Sequence, residues 1–227
     1  MQFDFPDKNG KPYKTSGGKM IYNEELKREI PEGWEVGNLA SSEISKILDT
    51  GINEFKGEKI YLSTSEVDDT EIVNHSILEE FASRTSRANM QPIKNSVWFA
   101  RMKETKKALV ISEFSNEIIN NYIFSTGFAG IGSPKESLYY LWNFINDKYF
   151  EAVKDINSTG STQKSIINES IANIKLLIPD NDTLCKFNDT VYSSYKQIYL
   201  NQRENKELSE LRDWLLPMLM NGQVKIV

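Results

Sequence analysis

Residues 81–112 carry Arg84, Arg87, Lys94, Arg101, Lys103, Lys106 and Lys107, seven cations against the single acid Glu104, a local balance of +6 within a 227-residue chain of net charge −5. Asn89, Gln91, Asn95 and Ser96 lie among these cations. Lysine and arginine neutralise phosphates and make binding salt-dependent, while arginine, asparagine and glutamine have the forked geometry that reads base edges in the major groove. The pattern makes Arg84, Arg87, Asn89, Gln91, Lys94, Arg101, Lys103, Lys106 and Lys107 the candidate DNA contacts. A solvated strand edge guarded by lysines would give the same composition, and composition alone leaves the two readings level.

Catalytic groups are sparse by contrast. The sequence has no GxxxxGK[ST] phosphate loop, no GxGxxG dinucleotide turn, no HExxH pair and no GxSxG elbow. His75 is the only histidine and sits in a polar stretch with no evident partner, so it reads as exposed or structural. Cys185 is the only cysteine, which excludes an internal disulfide and a cysteine zinc cage and suits a reducing compartment. Glu66, Asp68, Asp69 and Glu71 have the oxygen chemistry of a hard-cation site, but a solvated turn is the simpler account. The expectation is a chain with no catalytic residue, metal or cofactor of its own. Tyr139, Tyr140, Trp142, Phe144, Tyr149 and Phe150 could stack on bases, yet their helical spacing favours packing.

Periodicity and punctuation define the scaffold that carries these side chains. Hydrophobic residues make up 39% of the chain and charged residues 26%, which suits a globular fold and leaves no run of the roughly 20 apolar residues that would span a bilayer. The polar start has no apolar stretch of signal-peptide type, so cytoplasmic residence without membrane contact is expected. Residues 1–33, with the turn-rich Pro6-Asp7-Lys8-Asn9-Gly10-Lys11-Pro12, read as an N-terminal arm or hairpin. Residues 34–180 read as a mixed domain. Its short β-branched and aromatic runs, Ile60-Tyr61-Leu62, Val97-Trp98-Phe99-Ala100, Ala108-Leu109-Val110-Ile111 and Tyr122-Ile123-Phe124, predict strands. Ser133-Pro134-Lys135-Glu136 predicts a capping box opening one helix to about Ile156, with Leu138, Leu141, Trp142, Ile145, Tyr149, Ala152, Val153 and Ile156 inward and Gly160 closing it.

Pro179 should stop the apolar run 174–178, and Asp180-Asn181-Asp182 offers caps for a last helix over residues 181–227. No glycine or proline interrupts residues 182–216, and Pro217 and Gly222 are the expected terminators. Heptads counted from Leu184 place Leu184, Val191, Ile198, Asn205 and Arg212 at a and Phe187, Ser194, Asn201, Leu208 and Leu215 at d. The expected dimerisation residues are Leu184, Phe187, Val191, Ile198, Asn205, Leu208 and Leu215. The fold class is therefore α+β: a mixed globular domain of short strands and helices, followed by a long C-terminal coiled-coil helix.

Four passages, in order, resemble the specificity subunit of type I restriction-modification enzymes. Phe3-Asp4-Phe5-Pro6 with Gly10-Lys11-Pro12-Tyr13 is similar to the passage leaving that family's central conserved helix. Ile30-Pro31-Glu32-Gly33-Trp34-Glu35-Val36 resembles the motif that opens each target recognition domain. Ser158-Thr159-Gly160-Ser161-Thr162-Gln163-Lys164-Ser165-Ile166, with Ile174-Lys175-Leu176-Leu177-Ile178-Pro179 after it, resembles the passage near its end. Leu211-Arg212-Asp213-Trp214-Leu215-Leu216-Pro217-Met218-Leu219-Met220-Asn221-Gly222-Gln223-Val224 resembles the conserved helical region.

The resemblance implies a prokaryotic DNA-recognition subunit that reads double-stranded DNA and performs no chemistry itself. Methyltransferase subunits would bring S-adenosylmethionine for adenine-N6 methylation, and a restriction/motor subunit would bring ATP and magnesium. Family members usually carry two recognition domains and two conserved helices, whereas this chain has length for one of each, so it resembles a C-terminal half. Two copies paired through the last helix as a homodimer would read a palindromic split site, and pairing with a different half an asymmetric one. The alternatives are a protein-protein scaffold or an inactive truncated specificity subunit. The residues 158–164 are open to both loop packing and DNA or subunit contact.

Overall fold

The computed structural model describes residues 3–7, 9–73 and 77–221. His75 and the motif end Gly222, Gln223 and Val224 lie outside the described residues. The chain divides into two units, Met1–Asn188 and Asp189–Val227.

The first unit opens with a hairpin of β1 (Met20–Asn23) and β2 (Arg28–Pro31), then β3 (Glu35–Asn38), β4 (Lys46–Ile47), β5 (Glu58–Leu62), β6 (Val67–Asp68) and β7 (Glu71–Ile72). Next come β8 (Leu78–Glu80), β9 (Ala88–Met90), β10 (Ser96–Ala100), β11 (Ala108–Ile111), α1 (Asn116–Asn121), β12 (Tyr122–Ser125) and β13 (Phe128–Gly132). Helices α2 (Leu138–Asn146), α3 (Lys148–Ile156) and α4 (Asn168–Ile171) and strand β14 (Lys175–Ile178) lead to α5 (Asn181–Met220). One sheet has the order β11-β10-β13-β4 and another β8-β5-β12-β9, with β12 parallel to β5 and antiparallel to β9. This is the α+β class the sequence predicts, and each of the four apolar runs lies in a strand.

The core explains why β10 is apolar without alternation. All five of its residues are buried, because it is covered on both faces. Trp98 joins Phe128 of the neighbouring β13 and Leu62, Met90 and Phe124 of the other sheet, and its ring meets Phe124 edge-on at 5.0 Å. Phe99 meets Phe150 of α3 at 4.9 Å. Trp98 pairs across the ladder with Gly130, where a Cβ would stand 2.7 Å from the indole, so only glycine leaves room for the ring. A second cluster packs Phe3, Phe5, Ile30, Trp34 and Val36 against Leu177, and β14 pairs antiparallel with β3, so the two ends of the sheet domain are tied together.

The helix expected from Ser133 to Ile156 is two helices. Asp147 adopts an extended conformation (φ −75°, ψ 145°), and its carboxylate caps α3 by accepting from the Tyr149 amide at 2.7 Å. An aspartate offers the backbone this competing local bond, and the break shifts the phase of α3 relative to α2. Phe150 and Lys154 face inward instead, while Tyr149 and Ile156 are exposed. Ser133 is not the cap: its hydroxyl donates to the Asn95 carbonyl, and a short 3-10 turn precedes α2. At the far end, Pro217 lies inside α5, which continues to Met220. A proline so near the end removes one backbone bond with only one further turn at stake.

Helix α5 starts where Asp180 accepts from the Thr183 amide at 3.0 Å and from the Thr183 hydroxyl at 2.7 Å. Leu184 and Asn188 are buried within the first unit, and Phe187 meets Tyr140 at 6.3 Å. In the second unit Ile198, Leu200, Leu208, Leu211, Trp214 and Leu216 are exposed. Among the described residues no helix is long and apolar enough to cross a membrane.

Candidate nucleic-acid interface

Strand β10 separates the basic island into two groups. A five-residue strand extends roughly 17 Å, so residues just before Ser96 and just after Ala100 lie at opposite ends of the sheet, while Arg87, further back along the chain, returns to the Ala100 end. Gln91 and Lys94 belong to the first end. The Gln91 amide nitrogen donates to the Pro92 and Ile119 carbonyls, and Lys94 lies 3.9 Å from Glu113, which also holds Lys135 at 3.3 Å.

The second end is organised by the turn between β12 and β13. The Thr126 amide donates to the Arg87 carbonyl and the Arg101 amide to the Gly127 carbonyl, both at 2.9 Å, which brings two separate basic segments against one turn. The Lys103 amide donates to the Lys164 carbonyl at 3.0 Å, adding the segment 158–166 to the same end. Lys107 reaches the Thr64 carbonyl at 2.8 Å, and Lys106 pairs with Asp69 at 3.3 Å. Among the described residues this end therefore gathers Arg87, Arg101, Lys103, Lys106, Lys107 and Lys164 from three stretches of chain.

These cations differ in what they can offer a ligand. Arg87 and Lys164 are exposed, and no side-chain partner is described for either. The half-buried Lys103 pairs with the exposed Glu104 at 3.1 Å, and Lys106–Asp69 is open to solvent on both sides, so both pairs are weak enough to yield to a phosphate. Arg101 is committed to the fold instead: its guanidinium donates to the Phe128 carbonyl at 3.0 Å, the Ile166 carbonyl at 3.3 Å and the Asn168 side chain at 2.7 Å. Burial lowers its pKa, against the opposing pull of Glu169. Arg84 lies 4.4 Å over the Phe81 ring and donates to the Phe81 carbonyl, while Asn89 is half-buried in β9.

Residues 158–166 form a closed loop. The Thr159 and Ser165 backbones exchange hydrogen bonds at 3.0 and 2.9 Å, and Ser161, Thr162, Gln163 and Lys164 are exposed at its tip. Gly160 has φ +132°, and a Cβ there would stand 2.6 Å from the Gln163 carbonyl, so the tight return requires glycine. Two cations at this end were not apparent from the basic island, Lys154 and Lys164, because each lies far along the chain from Lys107, where the island's charges stop. In the acidic group, Glu66 accepts from the Ser63 amide at 2.7 Å within its own turn, and Asp69 pairs with Lys106 of the β10–β11 connection.

No family model matches the chain. Over 225 residues, 95% of its length, the chain is 25% identical to the type I restriction enzyme MjaIX specificity subunit of Methanocaldococcus jannaschii. The chain is similar to type I restriction-enzyme specificity subunits. It spans about half the length of that relative, 49%. A 72-residue stretch is 32% identical to the type I restriction enzyme HindI specificity subunit of Haemophilus influenzae, 32% of this chain and 16% of that one. Two solved structures share the fold at 17% identity. A chain from work on complex assembly and conformational transition of the type I R-M system gives a TM-score of 0.58 over 87% of this chain and 51% of that one. The HsdS subunit from Thermoanaerobacter tengcongensis gives 0.56 over 83% and 48%. The specificity-subunit fold thus takes in most of this chain.

Proposed function

We propose that this chain is the DNA-recognition element of a type I restriction-modification system and reads one half of a split site. The observation that carries the reading is the alignment to a type I specificity subunit over 95% of the chain. The geometry favours the β12–β13 end as the DNA-facing surface. Arg87 and Lys164 converge there exposed, Lys103 and Lys106 in pairs that a phosphate can displace, and Lys107 half-buried on the Thr64 carbonyl. Arg101 then acts as a support. Gln91 and Lys94 lie at the other end, and Arg84 is stacked on the Phe81 ring, so these three are weaker candidates than sequence proximity made them. Base reading falls to side chains at the same surface, with Arg87 the best placed for a bidentate contact to guanine.

In this reading the chain brings no cofactor. Methyltransferase subunits supply S-adenosylmethionine, and a restriction/motor subunit supplies ATP hydrolysis. The exposed apolar residues of α5 supply the pairing surface for a second copy. A scaffold without DNA recognition is the competing reading, and salt-sensitive, sequence-dependent binding by the assembled complex separates the two.

The test is co-expression with the cognate methyltransferase subunit in a host lacking other adenine methylation, with modified bases then mapped across the genome. A split motif supports recognition, and a palindromic one supports pairing of identical halves. Absence of new methylation, with the methyltransferase folded and bound, overturns the reading.

A further inference from the structure

Lys154 has no exposed surface, although it lies in the last turn of α3, where a lysine could readily reach solvent. Its ammonium pairs with Glu151 at 2.7 Å and donates to the Thr105 carbonyl at 2.6 Å. Thr105 stands in the β10–β11 connection, between Lys103 and Lys106. The same connection is held again by Asp155, whose carboxylate accepts from the Glu104 amide at 3.0 Å. On its other side Arg101 grips Phe128, Ile166 and Asn168, and the Met102–Ser165 bridge joins it to the 158–166 loop. Burying a charged pair is a poor route to stability, since an apolar side chain of similar volume usually serves as well. What a buried ammonium and a half-buried guanidinium supply here is fixed geometry: Lys154 holds the Thr105 carbonyl, and Arg101 ties together the start of β13, the end of the 158–166 loop and the start of α4.

We infer that Lys154 and Arg101 are positioning residues that hold the Lys103-to-Lys107 turn and the Lys164 loop in one preset arrangement for sequence-specific DNA contact. The inference rests on the DNA-recognition reading. Neither residue touches DNA. Preorganisation of this kind acts on discrimination more than on charge: the cations that neutralise phosphates are all still present when a support is removed, but base-reading side chains lose their fixed placement.

The experiment uses the full chain assembled with its methyltransferase subunit, and two duplexes: one carrying the motif found by methylation mapping, one with that motif scrambled. The variants are Lys154→Met combined with Glu151→Gln, which leaves no unpaired buried charge, and independently Arg101→Gln. Expected is a fall of about tenfold in the affinity ratio between the two duplexes, the discrimination that one misplaced bidentate contact carries. Affinity for the scrambled duplex and its salt slope should be unchanged. Amide exchange at Lys103, Lys106 and Lys107 should quicken in the free protein while β10 stays protected. An unchanged ratio in both variants overturns the inference, as does parallel loss of binding to both duplexes, which marks a merely structural role. If one variant fails to fold, the other decides the same question, because the two supports act on the turn from different elements. Failure of the wild-type complex to distinguish the duplexes would overturn the DNA reading itself, a separate outcome.

Discussion

At the residue scale, the structure separates side chains that look alike in sequence. Arg87 and Arg101 are both cations of one basic island, yet one is exposed and the other is bonded to the start of β13, the end of the 158–166 loop and the start of α4. Sequence registers charge but not direction, so the island was legible and its division by β10 was not. Lys154 was illegible for a related reason: its burial comes from the break at Asp147, which re-phases α3. Two predictions belong to this scale. Arg87→Ala should weaken binding to the cognate duplex by about 1–3 kcal/mol and relax discrimination there, the signature of one lost bidentate base contact. A loss equal on all sequences, with a salt slope lowered by about 1, would instead mark a phosphate contact and overturn the base-reading role. Gly130→Val forces a side chain into the space of the Trp98 ring, where even a Cβ stands at 2.7 Å. Overpacking of this kind typically costs about 1–3 kcal/mol, readable as a lowered denaturant midpoint with unchanged slope.

At the scale of elements, short apolar runs bounded by turn-formers identified the strands, because such runs satisfy both burial and β-propensity. The helix starting at Asp180 was equally legible, since aspartate ahead of polar residues and an apolar stripe is a start signal that local chemistry alone enforces. The carboxyl of Asp180 is pushed up by burial, but bonds from the Thr183 amide and hydroxyl and from Trp34 outweigh this and hold it below its ordinary value. A carboxyl lowered in the folded state contributes stability that is fully present above its unfolded value near 4 and is lost as pH falls through the folded value. Asp180→Ala should therefore cost about 1 kcal/mol at neutral pH, as cap removals do. The gap between variant and wild type should narrow as the pH falls below about 4. Urea melts at a series of pH values check this, and a gap that stays constant into acid would show that the carboxylate charge plays no part.

At the scale of the whole molecule, a folded sheet unit is joined to a helical stretch whose Ile198, Leu200, Leu208, Leu211, Trp214 and Leu216 are exposed. Heptads assigned Leu184 and Phe187 to a seam, but both are used by the first unit, where Leu184 is 3% exposed and Phe187 meets Tyr140. Heptad spacing marks which residues share a face without saying what occupies it, so the seam's extent was beyond the sequence. Ile198 and Leu208 remain 48% and 56% exposed, and Leu215 lies on the same heptad positions. A helix gains most of its stability from packing an apolar face, so a solvated stretch of this length calls for a partner helix. If that partner is a second copy, sedimentation equilibrium of the purified chain will give a dimer, and Ile198→Glu with Leu208→Glu and Leu215→Glu will give a monomer. Each buried side chain contributes about 1.5–3 kcal/mol, enough in combination to abolish pairing at micromolar concentration. The first unit should keep its melting transition in the variant, because its core uses none of the three residues. The methylation pattern should respond in step: loss of a palindromic split motif along with the dimer ties recognition to the symmetric pair. A wild-type monomer whose methylation motif is asymmetric would assign the same apolar residues to a different half.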